Sequence, residues 1–247
     1  MRMLGIFFLF VSGIVCSSGN PDNTNKKINA PSKIKEIPLP PGFERVNVQA
    51  SSFEEYLQNI QLKQSKTVYL YNGQKKYNQS AQYAVLNISV GQKNLQQCAD
   101  AVMRLRSEYL KLYNKPVCFK DNNGKSYCWS NYSNRGWQTY LDIVFGMCGT
   151  LSLEKELKKK SWSRVTAGNV LIKGGYPGHA VIIVDVARNP KSGKTIFLLA
   201  QSYMPAQDIH ILKNLVDQSI SPWYTVPENN PIQTPEWTFY ENQLRGW

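Results

Sequence analysis

Gly175-Tyr176-Pro177-Gly178-His179-Ala180-Val181-Ile182-Ile183-Val184-Asp185-Val186 is the stretch whose reading decides the fold. Glycine and proline bring the backbone in through a tight turn, and the unbroken apolar run after His179 has the character of a strand buried on both faces. Asn189-Pro190-Lys191-Ser192-Gly193 reads as a turn and Thr195 to Ala200 as the returning strand, so the two form an antiparallel pair. Folding about that turn puts Gln201 to Tyr203 near the level of His179. Imidazole is the side chain whose free pKa suits proton transfer near neutrality, and His179 sits at the rim of a rigid core, where a general base could work. The plain alternative is a histidine that only closes a turn.

Upstream, Leu95 to Leu110 changes to helical spacing, with Asn94 as a cap and Gln97 completing a box-like start. Cys98 then falls at the end of the first turn, where unsatisfied amides and the helix dipole favour a thiolate. Cys98, Val102, Leu105 and Tyr109 share one face, so a core cysteine is the competing reading.

Elsewhere the chain alternates helix and strand signals. Ile37 to Phe43 is a proline-stiffened entry, Ser51-Ser52 caps a helix from Phe53, Thr67 to Tyr71 forms a hairpin arm, and Tyr83 to Val90 is a core strand. Thr139 to Met147 is an apolar helix, and a second helix starts at Leu151, with Lys158, Lys159 and Lys160 at its solvated end. Trp162 to Val170 leads into the strand pair that carries His179. The Asn122-Asn123-Gly124 loop sets Cys118 opposite Cys128 in a hairpin, which predicts a disulfide. Cys98 and Cys148 are left to pair with each other or to stay as thiols.

The 247 residues divide as a signal peptide over 1–18, a tether over 19–35 and one α+β domain over 36–247. Cleavage after Ser18 fits the small-residue rule better than lipid attachment at Cys16, which follows Val15. The expected location is therefore the periplasm or cell surface. A net charge of +12 comes from scattered residues with no nucleic-acid-binding motif around them, so an anionic envelope or wall surface is the expected partner rather than nucleic acid. A merely soluble basic surface explains the charge as well. His179 and His210 are far apart and no carboxylates cluster, so neither a metal site nor a cofactor is expected. Oligomeric state has no signature.

Cys98, His179 and Gln201 follow one another in the order that a cysteine hydrolase needs: nucleophile at a helix start, base, and a polar group to orient the ring. His210, within an apolar segment, is the competing imidazole. The strand from Ala167 through Val184 resembles the corresponding element of NlpC-type and CHAP amidases, which implies a papain-like core with an antiparallel sheet and an N-terminal helix carrying the cysteine. Pro40-Pro41-Gly42-Phe43, Leu95 to Ala101, Pro177 to Val181 and Ala200 to Gln207 resemble a bacterial family of exported proteins, domain of unknown function 4846, a likeness that implies membership but no reaction. The expected activity is thiol-dependent cleavage of an amide in a cell-wall peptide or related envelope substrate. Gln97, Tyr203, Trp223 and Trp237 are the candidate substrate contacts, and the Cys98 amide with Gln96 or Gln97 could stabilise an oxyanion. The alternative function is a non-catalytic envelope-binding module that offers Trp223, Tyr224 and Trp237 to a glycan or peptide.

Overall fold

The computed structural model describes residues 30–247. The stretch expected to be a signal peptide, 1–18, and most of that expected to be a tether, 19–35, lie outside the described residues. The folded unit runs Pro31–Trp247 and begins earlier than the sequence suggested. Lys33 bridges to Gln61, and Ile34 is fully buried with its N–H donated to Ile60 O. One apolar side chain among polar neighbours was enough to dock a segment whose composition reads as tether.

In chain order the elements are β1 (Glu44–Arg45), α1 (Phe53–Gln58), β2 (Gln82–Val85), α2 (Cys98–Leu112), β3 (Cys118–Lys120), β4 (Ser126–Cys128), α3 (Trp137–Met147), α4 (Thr150–Glu156), β5 (Lys158–Lys159), β6 (Val170–Lys173), β7 (His179–Arg188), β8 (Thr195–Gln201), β9 (His210–Leu212), β10 (Tyr224–Thr225), β11 (Ile232–Gln233), β12 (Thr238–Phe239) and β13 (Leu244–Gly246). The main sheet has nine strands in the order β2-β9-β8-β7-β6-β13-β5, with β1 added to β7 and β10 to β8. All its pairs are antiparallel. The fold is thus α+β on a large antiparallel sheet. The cysteine-bearing helix is the second, because α1 precedes it.

β7 and β8 form the centre of the sheet. Alternation along them sends Ala180, Ile182, Val184, Leu198 and Ala200 to one face, where α1 and α2 pack, and Val181, Ile183, Val186, Phe197 and Leu199 to the other. A bulge between Ile183 and Asp185 shifts the register so that Ile182 faces Ala200. Asp185 at this bulge is fully buried and accepts from Arg45 Nε and Gln58 Nε2, each at 2.8 Å.

Three local expectations differ from the structure. Asn94 does not cap α2; Gln97 does, its N–H donated to Asp100 Oδ2 at 2.9 Å, so Cys98 is the first helical residue. The lysines at 158 and 159 form the exposed edge strand β5 against β13 rather than a helix end, and their charge protects that edge from further pairing. Trp223 is only 1% exposed, with its indole N–H donated to Pro38 O at 2.8 Å and the Arg45 guanidinium over its ring. It is a core residue and offers no face to a ligand.

The β3–β4 hairpin is as expected: Cys118 pairs with Cys128 in register and the two form a disulfide. Cys98 and Cys148 are separate buried thiols.

Candidate active site

His179 opens β7, and its position depends on the glycine before it. A Cβ on Gly178 would press on Gly175 O, on Thr150 Oγ1 at 2.5 Å and on Lys173 O at 2.8 Å, so only glycine lets the turn tuck under α4 at this point. The imidazole Nε2 lies 2.9 Å from Gln201 Oε1. A carbonyl oxygen only accepts, so Nε2 carries the proton and Nδ1 has the lone pair. Tyr203 meets the ring edge-on at 5.0 Å between centroids, Trp237 lies at 5.3 Å and Phe239 at 5.8 Å. The last two come from the β11–β12 hairpin, which covers the histidine and leaves it 1% exposed.

Cys98 comes to the start of β7 from the α2 side. Its sulfur faces the backbone N–H groups of Cys98, Ala99 and Ala180, the last being the residue after His179. Two contacts fasten the start of α2 to the end of β8: Ser202 Oγ donates to Gln96 O at 2.7 Å, and Ala206 N–H donates to Asn94 Oδ1 at 2.8 Å. The fold thus brings Cys98, His179 and Gln201, the three candidate residues, to one end of the β7–β8 pair.

The electrostatics differ from the expected preformed thiolate. Burial pushes the Cys98 thiol up to about 11, with the charge of Asp100 adding to it, against the amides that favour ionisation. Asp100 is itself buried and its carboxyl is held well above its ordinary range, which favours its neutral form. Desolvation is therefore the cause that stands. Burial likewise lowers His179 to about 4, the Gln201 hydrogen bond opposing it. At rest Cys98 is a neutral thiol and His179 a neutral imidazole.

The family model described as Domain of unknown function (4846) matches residues 34–137 and 120–246. The chain belongs to that family. No curated protein and no solved structure matches it. Within this family member, Cys98 lies in the first matched stretch and His179 and Gln201 in the second.

Among the other candidates in this family member, Tyr203 and Trp237 line the histidine, whereas Gln97 is the helix cap, with its Nε2 turned to Asn94. Gln96 is 1% exposed and its Nε2 is a buried donor without a partner. His210 is directly opposite Gln201 but fully buried, its Nδ1 bonded to Asp208 O at 2.9 Å. Burial, then the Lys76 ammonium, lower it to about 3, so it stays neutral. The sequence assigned no chemical role to Lys76 or Glu236. Glu236 Oε2 accepts from Gln201 Nε2 at 2.5 Å, and Glu236 Oε1 lies 2.6 Å from Lys76 Nζ. No local pattern marks either residue; they meet only because two loops close on the end of β8. No group of three or more His, Cys, Asp or Glu side chains among the described residues is arranged to hold a metal ion.

Proposed function

We propose that the protein is an exported thiol hydrolase with a papain-like core, cleaving an amide bond in a cell-wall peptide or a related envelope substrate. The observation that carries this reading is the His179 Nε2 to Gln201 Oε1 hydrogen bond at 2.9 Å, which leaves Nδ1 as the basic nitrogen at the strand end whose Ala180 N–H faces the Cys98 sulfur. The Cys118–Cys128 disulfide is consistent with an oxidising compartment, and no helix among the described residues is long and apolar enough to cross a membrane.

In the first step the Cys98 S–H proton passes to His179 Nδ1 as sulfur bonds to the substrate carbonyl carbon and the C=O pair moves onto oxygen. The Cys98 amide and the free Gln96 Nε2 are the donors for that oxygen. Collapse breaks the C–N bond, and the imidazolium proton goes to the leaving amine. Water then gives a proton to His179 and attacks the thioester carbon, the C–S bond breaks, and the thiol recovers its proton. Since the resting pair is neutral, His179 acts as a true general base. The His179 displacement arises from burial, so lifting the Trp237 and Phe239 cover rehydrates the imidazole and moves it toward its ordinary value.

The test uses iodoacetamide on the folded protein near neutral pH. Cys148, buried and pushed up to about 12 by desolvation and nearby acidic groups, serves as the internal comparison. Cys98 is expected to be alkylated well before Cys148, and His179→Ala to slow it, because only the thiolate reacts. Labelling of Cys98 only in denaturant sinks the hydrolase. The burial and neutrality of Cys98 favour that second reading, an envelope-binding module on the same fold.

A further inference from the structure

The end of β8 carries a chain of polar contacts that runs from the histidine to a buried ion pair. His179 Nε2 meets Gln201 Oε1 at 2.9 Å, Gln201 Nε2 meets Glu236 Oε2 at 2.5 Å, and Glu236 Oε1 meets Lys76 Nζ at 2.6 Å. The side chains of Lys76 and Glu236 are 7% and 13% exposed, and those of His179 and Gln201 are buried. Burying an ion pair at the tip of a covering hairpin carries a desolvation cost, and it gives little stability that a well-packed apolar pair would not. Its value here is directional.

We propose that Glu236 is a positioning residue, whose carboxylate, held by Lys76, fixes the Gln201 amide so that its oxygen must take the Nε2–H of His179, leaving Nδ1 as the proton acceptor. A glutamine amide has one end that accepts and one that donates, and by itself it can bond Nε2 of a neutral imidazole in either sense. A carboxylate only accepts. Glu236 therefore claims the Gln201 NH₂ group, the carbonyl is turned to His179, and the ring is confined to the tautomer with hydrogen on Nε2. Lys76 Nζ, 2.6 Å from Glu236 Oε1, holds the carboxylate in place against the Gln201 amide. The site thus sets its tautomer through a neutral amide, with the charge placed one residue further out, where it does not pair directly with the imidazole. His210 and Tyr203 also border this group, but the carbonyl of Asp208 takes the His210 Nδ1–H, and Tyr203 meets the imidazole ring by its edge.

The inference deepens the hydrolase reading, and its test is independent of thiol reactivity. Two-dimensional nitrogen-15 correlation spectra of the two imidazoles report which nitrogen is protonated, in the wild-type chain and again in Cys98→Ala. The expected result in both is the Nε2–H form of His179. In Glu236→Gln the new side chain can donate as well as accept, so the ratio of Nε2–H to Nδ1–H is expected to fall by about tenfold or more, the scale on which outer partners of a histidine act. Lys76→Arg, which keeps the cation, retains the wild-type ratio. An Nδ1–H form in the wild-type protein overturns the proposal without recourse to any variant. So does an unchanged ratio in Glu236→Gln or in Gln201→Met, each checked for folding by near-ultraviolet circular dichroism. If the tautomer responds as described while Cys98 labels only in denaturant, the relay stands and the hydrolase reading falls. If Cys98 labels rapidly and the tautomer is indifferent to Glu236, the reverse holds.

Discussion

Trp237 and His179 face each other with ring centroids 5.3 Å apart, one from the short β11–β12 hairpin and the other from the first residue of β7. The hairpin has only two paired positions, Ile232 with Phe239 and Gln233 with Thr238, so its own ladder holds it weakly. Beyond that ladder it is held by the buried side chains of Ile232 and Phe239, by Trp237 against His179 and by the Glu236–Lys76 ion pair. Trp237→Ala is therefore expected to leave the fold in place and open the cover, raising the rate of Cys98 alkylation several-fold while that of Cys148 stays the same. Mass-resolved labelling kinetics of the two thiols check this, and equal acceleration of both indicates global loosening instead.

The histidines give a second prediction, since there are only two in the chain. Burial lowers His179 to about 4 and His210 to about 3, both below the ordinary value of 6.5. In the folded protein neither ring should titrate between pH 8 and pH 5, which the Cε1–H resonances will show. The sign for stability follows: the unfolded chain takes up protons first, so these histidines favour folding fully above pH 6.5 and lose that contribution as pH falls from 6.5 toward 4. A ring that titrates near its ordinary value within the folded protein contradicts the burial described.

Arg45 and Asp185 supply a third. The Asp185 carboxylate is fully buried at the β7 bulge, and burial raises its pKa even with Arg45 and Gln58 bonded to it. Arg45→Met leaves that group without its cation and is expected to cost roughly 3 kcal/mol at neutral pH, the scale for a buried pair broken on one side. A carboxyl whose folded pKa is raised binds its proton more readily folded than unfolded, so the loss should shrink as pH falls through that raised pKa. Urea unfolding at two pH values measures both effects.

Fourth, the Cys118–Cys128 disulfide closes a short loop at the surface of the α3 and α4 region. Replacing both cysteines by serine is expected to cost about 2–3 kcal/mol, by the loop-entropy scale for a closure of this size. The lower Tm should be accompanied by unchanged Cys98 labelling, because the hairpin packs on α4 and supplies none of the residues around His179.

Gly178→Ala is a fifth and sharper change. Its Cβ would meet two carbonyl oxygens and a threonine hydroxyl, all in positions fixed by backbone or packing. The expected outcome is a displaced His179, read as loss of the single Nε2–H tautomer together with a lowered Tm. An unperturbed tautomer in a fully stable protein argues against the close approach.

The amino-acid sequence determined by itself what depends on neighbours along the chain. The run Ala180 to Val184 could only be a buried strand, the Asn189 to Gly193 turn folded its partner back, and Asn122-Asn123-Gly124 set Cys118 against Cys128, because turn chemistry and alternation act over a few residues. They were enough to bring Gln201 to His179. Tertiary structure alone decided the rest, since burial and long-range meeting have no local signature. It turned Trp223 from a candidate platform into core, made Cys98 the first residue of its helix yet kept its thiol neutral, and drew Ile34 out of an apparent tether. It also brought Lys76 and Glu236 from distant loops to the far side of Gln201. Desolvation outweighed the helix terminus at Cys98 because the one acts through everything packed around the sulfur and the other only through the amides of a single turn.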